Sequence, residues 1–151
     1  MSKGERVAII DCQLAGVSGD MIVGALLDLG ANLTKVVEAM NSVKGYMKGC
    51  KNLEIIIKDV TRRGLHAKKV DVKAEEAFEI TGAELIDATV NCIENLKLSG
   101  EAKRFASDSI NTLVNAEAKV HGKSINKVHL HEAGFVDTPA EIVGAAVALD
   151  D

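Results

Sequence analysis

Four consecutive apolar residues, Val7 to Ile10, end in Asp11. An unbroken apolar run of this kind predicts a strand covered on both faces that delivers a carboxylate to the end of a sheet. Met21, Ile22, Ala25, Leu26 and Leu29 then recur at helical spacing, with Ser18 as the N-cap and Gly30 as the stop. Asn32 opens a second helix carrying Leu33, Val36, Val37, Met40 and Val43, broken by Gly45 and Gly49. Leu53 to Val60 and Leu65 to Val72 are rich in branched residues, and Thr61 to Gly64 between them reads as a hairpin turning on glycine. His66, alone in the second of these strands, reads as a satisfied polar residue outside any site.

Thr81 and Glu84 have the spacing of a capping box and open a helix with Leu85, Ile86, Ile93 and Leu96. Ser99 opens the next, which runs to about His121 with Phe105, Ala106, Ile110, Leu113, Val114 and Ala118 inward and Gly122 at its end. Val128 and Leu130 alternate with His129 and His131, predicting a short strand that sends the aliphatic pair inward and both imidazoles to the other face. Thr138, Pro139 and Glu141 form a second capping-box start, followed by Ile142, Ala145, Ala146 and Leu149 toward the core and Gly144 at a close approach. The predicted order is βααββααβα, an α/β (α+β) fold in which helices cover a small mixed β-sheet within one domain spanning residues 1–151. The last helix stops at Leu149-Asp150-Asp151 with two carboxylates at the negative end of its dipole, which reads as the N-terminal domain of something longer.

Composition narrows the function. The 151 residues are 47% hydrophobic and 26% charged, enough for one domain with a real core. A net charge of -4, one tyrosine, three phenylalanines and no tryptophan argue against a nucleic-acid surface. Absence of a membrane-length apolar run or a signal-peptide pattern makes a cytoplasmic protein without membrane contact the expectation. Cys12, Cys50 and Cys92 are far apart and odd in number, so neither a disulfide framework nor a zinc ribbon is indicated.

The stretch from Lys127 to Gly144 is richest in chemistry. His129 and His131 on one strand face, with Glu132 and Asp137 close behind, form an imidazole and carboxylate set suited to divalent zinc, nickel, iron or manganese. The same His-x-His pattern also occurs as two polar residues on a wet strand face. Glu141 has a sufficient structural role as a cap, and His121 one at a helix C-terminus, although His121 stays a secondary ligand candidate. The turn at Ser18 and Gly19 opens a helix and is a candidate cradle for a phosphate-bearing cofactor. Its spacing matches neither G-x-G-x-x-G nor a Walker loop, and Asp20 would repel phosphate unless a cation lay between them. If the first and last strands end together, Asp11 and Asp20 join His129, His131, Glu132 and Asp137 in one site.

These motifs in combination resemble those of the nickel-insertion protein family LarC: Asp11 with AGVSGDM (residues 15–21), GALLDLGA (24–31), AEAKVHG (116–122), VHLHEAGFVDT (128–138) and IVGAA (142–146). The resemblance covers nearly the whole chain. It implies CTP-dependent cyclometallation of pyridinium-3,5-bisthiocarboxylic acid mononucleotide, a lyase-class nickel insertion that makes the nickel-pincer nucleotide cofactor of lactate racemase. It also implies that nucleotide binding belongs to a C-terminal part beyond this chain, supplied by a missing half or a companion chain, with homo-oligomerisation left open. His129, His131 and Glu132 match the family motif best as metal ligands, and Asp11, Asp20 and Asp137 fall on motif positions. Glu132, Asp20 or Asp137 would take the ring proton as the metal-carbon bond forms. Two departures stand out: Glu141 replaces an aspartate, and Gln13-Leu14-Ala15 replaces Phe-Ser with one residue more. Two alternatives stand beside this reading, a nickel-delivery module without catalysis of its own and a metal-dependent hydrolase.

Overall fold

The computed structural model describes residues 7–13, 16–75, 80–130 and 136–151. Its elements are α1 (Gly19–Asp28), α2 (Leu33–Ser42) with a 3-10 turn at Val43–Gly45, β1 (Asn52–Arg62), β2 (Leu65–Glu75), α3 (Gly82–Glu94), α4 (Gly100–Val120) and α5 (Asp137–Asp150). The expected mixed α/β class is borne out, with two differences in the strands. Val7–Asp11 is irregular and exposed rather than a buried strand, because neither strand of the sheet pairs with it. The expected strand at Val128–Leu130 is reduced to one antiparallel bridge between His129 and Thr81. Among the described residues the sheet is therefore the antiparallel pair β1-β2 and not a mixed one.

The hairpin follows from its turn. Arg63 and Gly64 both have positive φ, 51° and 82°, as a two-residue type I′ connection requires. The register Arg62↔Leu65 then sets Leu53, Ile55 and Ile57 beside Ala74, Val72 and Val70 on one face. That face packs on the helices, with Leu53 and Val70 fully buried. Farther along the same face, toward the exposed turn, cross-strand polar pairs take over: Asp59 takes the Lys68 ammonium at 2.7 Å, and Thr61 meets His66 Nδ1 at 3.1 Å. His66 is thus the satisfied polar residue its position suggested.

Helix ends obey local grammar in most places. Asn32 accepts from Lys35 N–H and Ser99 from Ala102 N–H. Thr81 and Glu84 form the reciprocal box. Gly30 and Gly122, at φ 108° and 61°, end α1 and α4. In each, the next residue's N–H reaches back to Leu26 or Ala118. The carboxylates that close α5 serve its neighbours: Asp150 accepts from Ser99 N–H at 3.0 Å, and Asp151 from Asn32 N–H at 3.0 Å. Each therefore sits at the positive end of another helix.

At the centre lies α5, which buries Pro139, Ala140, Val143, Gly144, Ala145, Ala146, Val147 and Ala148 against α1, α2 and α4. Burial all round is what a helix of small apolar residues permits. A Cβ on Gly144 would lie 2.8 Å from Met40 Sδ and 3.3 Å from Val23 Cγ2, so the close approach read from the sequence is realised. The stripes of the surrounding helices are rotated from expectation. α1 buries Val23, Gly24, Leu26 and Leu27 while Met21 and Leu29 face outward. α4 buries every fourth residue from Ala102 to Ala118 and leaves Phe105 exposed.

Gly24 supplies a test of this packing, because a Cβ there would lie 2.5 Å from the Lys68 carbonyl oxygen of β2. A backbone atom cannot move aside without dragging the hairpin. Gly24→Ala is expected to destabilise by about 1–3 kcal/mol. Gly100→Ala, in the first turn of α4 with nothing near its Cβ position, is expected to be neutral or slightly stabilising. Urea midpoints of the two variants check this, and equal midpoints would contradict the close helix-to-strand contact.

Candidate functional site

Two helix N-termini bring carboxylates together. At the start of α1, Asp20 Oδ1 accepts from the Ser18 hydroxyl and from Met21 N–H at 2.8 Å, so Ser18 flanks the helix without capping it by its side chain. At the start of α5, Asp137 Oδ1 accepts from Thr138 N–H at 2.8 Å. The helix begins at Asp137, two residues before the expected first position at Pro139, with Val136 in the N-cap place and no side-chain cap. Pro139 is accommodated there because the first-turn N–H groups have no intrahelical partner to lose. The Thr138–Glu141 capping box is consequently not formed, and Glu141 is released to cross to α1.

Glu141 is the residue that sequence reasoning assigned elsewhere. Its carboxylate accepts the Asp20 backbone N–H, and the place of a Cβ on Gly19 is taken by the Glu141 side chain, with Glu141 Cβ only 2.7 Å away. Gly19 is therefore required by this contact. Burial, and then the neighbouring charges of Asp137 and Asp20, push the Glu141 carboxyl up to about 7. The spacing that identified it as a cap could equally have flagged a third carboxylate one helical turn beyond Asp137.

The other candidates lie apart from this cluster or outside the description. Asp11 is exposed, and its Oδ1 accepts from Gln13 N–H at 2.9 Å. His129 sits half-buried between buried Val128 and Leu130, as the alternation predicted. It lies beside the α3 capping box, where Gly82 N–H bonds to the Val128 carbonyl. Its charged neighbour is Glu84, held below the usual carboxylate range first by the Thr81 N–H, then by the Thr81 hydroxyl, with Lys48 and His129 adding to the effect. Glu84, Lys48, Asp87 and Tyr46 line a groove of about 510 Å³. His121 pairs with Glu117 on its own helix at 3.4 Å. His131 and Glu132 lie outside the described residues. Among the described residues, no three His, Cys, Asp or Glu groups are arranged to hold a metal ion.

The Asp20, Asp137 and Glu141 carboxylates, which as they stand are not arranged to close on a metal ion, can do two things chemically. They concentrate negative charge that attracts a cation, and they hold a carboxyl near neutrality that can accept a proton. Their acidity suits a cation better than a phosphate at the Ser18-Gly19 turn. Because the folded carboxyl of Glu141 is raised above its unfolded value of 4.5, its contribution to stability is full below pH 4.5 and is lost as pH rises to about 7. In metal-free protein, Glu141→Gln is expected to gain about 1–2 kcal/mol over the parent at pH 8, after solvent screening is allowed for, and nothing at pH 4.5. Denaturant midpoints across that range check it; a pH-independent difference would remove the like-charge crowding.

Comparison with known proteins follows the same residues. The profile described as "Nickel insertion protein" matches residues 8–151. A protein of Methanothermobacter thermautotrophicus named for nickel insertion is 38% identical over 145 residues, covering 96% of this chain and 34% of the relative. One of Geotalea uraniireducens, similarly named, is 37% identical, covering 96% and 35%. The pyridinium-3,5-bisthiocarboxylic acid mononucleotide nickel insertion protein of Geobacillus kaustophilus is 32% identical over 155 residues, covering 97% and 36%. The chain thus spans about a third of the length of the curated relatives it matches. No solved structure matches it. Among the described residues, no helix is long and apolar enough to cross a membrane. A match over nearly the whole chain places the protein plainly: it belongs to the nickel insertion protein family.

Proposed function

We propose that the chain is the metal-handling part of a cytoplasmic protein that inserts nickel into pyridinium-3,5-bisthiocarboxylic acid mononucleotide, forming the nickel-pincer nucleotide used by lactate racemase. The observation that carries this reading is the crowding of Asp20, Asp137 and Glu141 at the joined N-termini of α1 and α5, in a chain of this family. Three crowded carboxylates that hold one of their number protonated near neutrality attract a divalent cation and give up the proton as it arrives, with the side chains shifting from their present arrangement or further ligands completing the site. Oxygen and imidazole donors hold nickel less firmly than thiolates and release it to the sulfurs of the substrate. His129, His131, Glu132 and Asp11 remain in the proposal as further ligands. In the insertion step the ring carbon exchanges its proton for nickel, and a carboxylate receives that proton. Glu141, with its carboxyl near 7, joins Glu132, Asp20 and Asp137 as a candidate for that acceptor.

CTP would be consumed in this lyase-class reaction, and its site is assigned outside the matched third. Ser18 and Gly19 do not fit a triphosphate, because the turn is backed by Asp20 and Glu141. A second reading, delivery of nickel by this chain to a separate catalytic part, is favoured by the share of the relatives that it spans.

Isothermal titration of nickel into metal-free protein, with zinc as competitor, tests the site. One nickel is expected to bind, more tightly at pH 8 than at pH 6, and Asp20→Asn with Glu141→Gln should weaken it by about tenfold or more. Glu141→Gln alone should flatten the pH dependence. Unchanged nickel binding in both variants, with loss in His129→Ala, His131→Ala, would move the metal to the His-x-His segment; no nickel binding by the parent would overturn the reading.

A further inference from the structure

Large apolar side chains lie uncovered among the described residues. Val7, Ile9 and Ile10 are 81%, 91% and 55% exposed, and Met21, Leu29 and Leu149 are 50%, 79% and 46% exposed. Val7, Leu29 and Leu149 line one groove of about 290 Å³, so the start of the irregular segment, the C-terminal end of α1 and the end of α5 meet at a single surface. Isolated exposed aliphatics are ordinary, whereas a contiguous patch marks an interface. Together these side chains offer several hundred Å², comparable to the roughly 800 Å² that each partner contributes to a standard interface.

Two observations identify the occupant. As a strand, four consecutive apolar residues would direct two side chains to each face, which suits an element covered on both sides and paired along its backbone. Neither β1 nor β2 pairs with it. The relatives, meanwhile, hold about two thirds of their length beyond the matched region, ample chain to supply such a cover within one polypeptide. We propose that Val7–Ile10 and the outer face of α1 are the docking edge for an extended apolar segment from the part of the family polypeptide beyond the matched third. On docking, Val7–Ile10 becomes a strand of a shared sheet. This assignment stands on family membership and packing alone, independent of where nickel binds.

Hydrogen-deuterium exchange on the 151-residue chain and on the intact Methanothermobacter relative tests it. Amides at the positions aligned with Ala8–Ile10 are expected to exchange about 100-fold or more slowly in the intact relative than in this chain. Equally fast exchange in both overturns the proposal. Sedimentation of the chain and of Ile9→Lys separates the other occupant: monomers at all concentrations agree with docking to the longer polypeptide, and a concentration-dependent dimer lost in Ile9→Lys assigns the face to a second copy and overturns it.

Discussion

The burial of α5 on several sides is the constraint from which the rest of the architecture follows. Its core positions are alanine, glycine and valine, so neighbours approach its backbone closely enough for three helices to share it. α1, α2 and α4 do so, and Gly144 marks the tightest contact, against Met40 and Val23. A large side chain at that position would push α2 and α1 away together. The hairpin joins the assembly through α1, where Gly24 admits the Lys68 carbonyl of β2.

The same packing creates the acidic cluster. Once α1 lies along α5, their N-termini meet, and each brings an aspartate in its first turn. An aspartate there is favoured by its own helix dipole, so each is locally stabilising. Their juxtaposition with Glu141 is not. Holding a carboxyl near pH 7 against burial and two like charges costs free energy that the small-residue core must offset. Local rules broken at one place, while the surrounding scaffold obeys them, are the usual mark of a functional position.

Much of the fold was legible because it depends on interactions a few residues long. The Asn32, Ser99 and Thr81–Glu84 caps, the glycine stops at Gly30 and Gly122 and the Arg63-Gly64 hairpin all formed where their residues stand. The inward set of Val128 and Leu130 was legible from alternation. Thr138 and Glu141 failed as a cap because α5 starts two residues early, and the carboxylate found the Asp20 N–H on another helix. Periodicity found the helices but not their faces: Leu29 and Phe105 fit a stripe as well as Leu27 and Ala102 do, and only the neighbours select between them.

The sequence by itself determined the five helices, the β1-β2 hairpin and their order, the family and the residue types able to handle a divalent metal. Those properties rest on side-chain chemistry and short-range hydrogen bonds, which any stretch of chain carries with it. Tertiary structure alone decided that Asp20 and Asp137 would meet around Glu141, that His129 would lie beside Glu84, and that Val7–Ile10 would remain at the surface. Each of these depends on contacts between residues far apart in the chain, and their geometry is set by how closely α5 lets its neighbours approach.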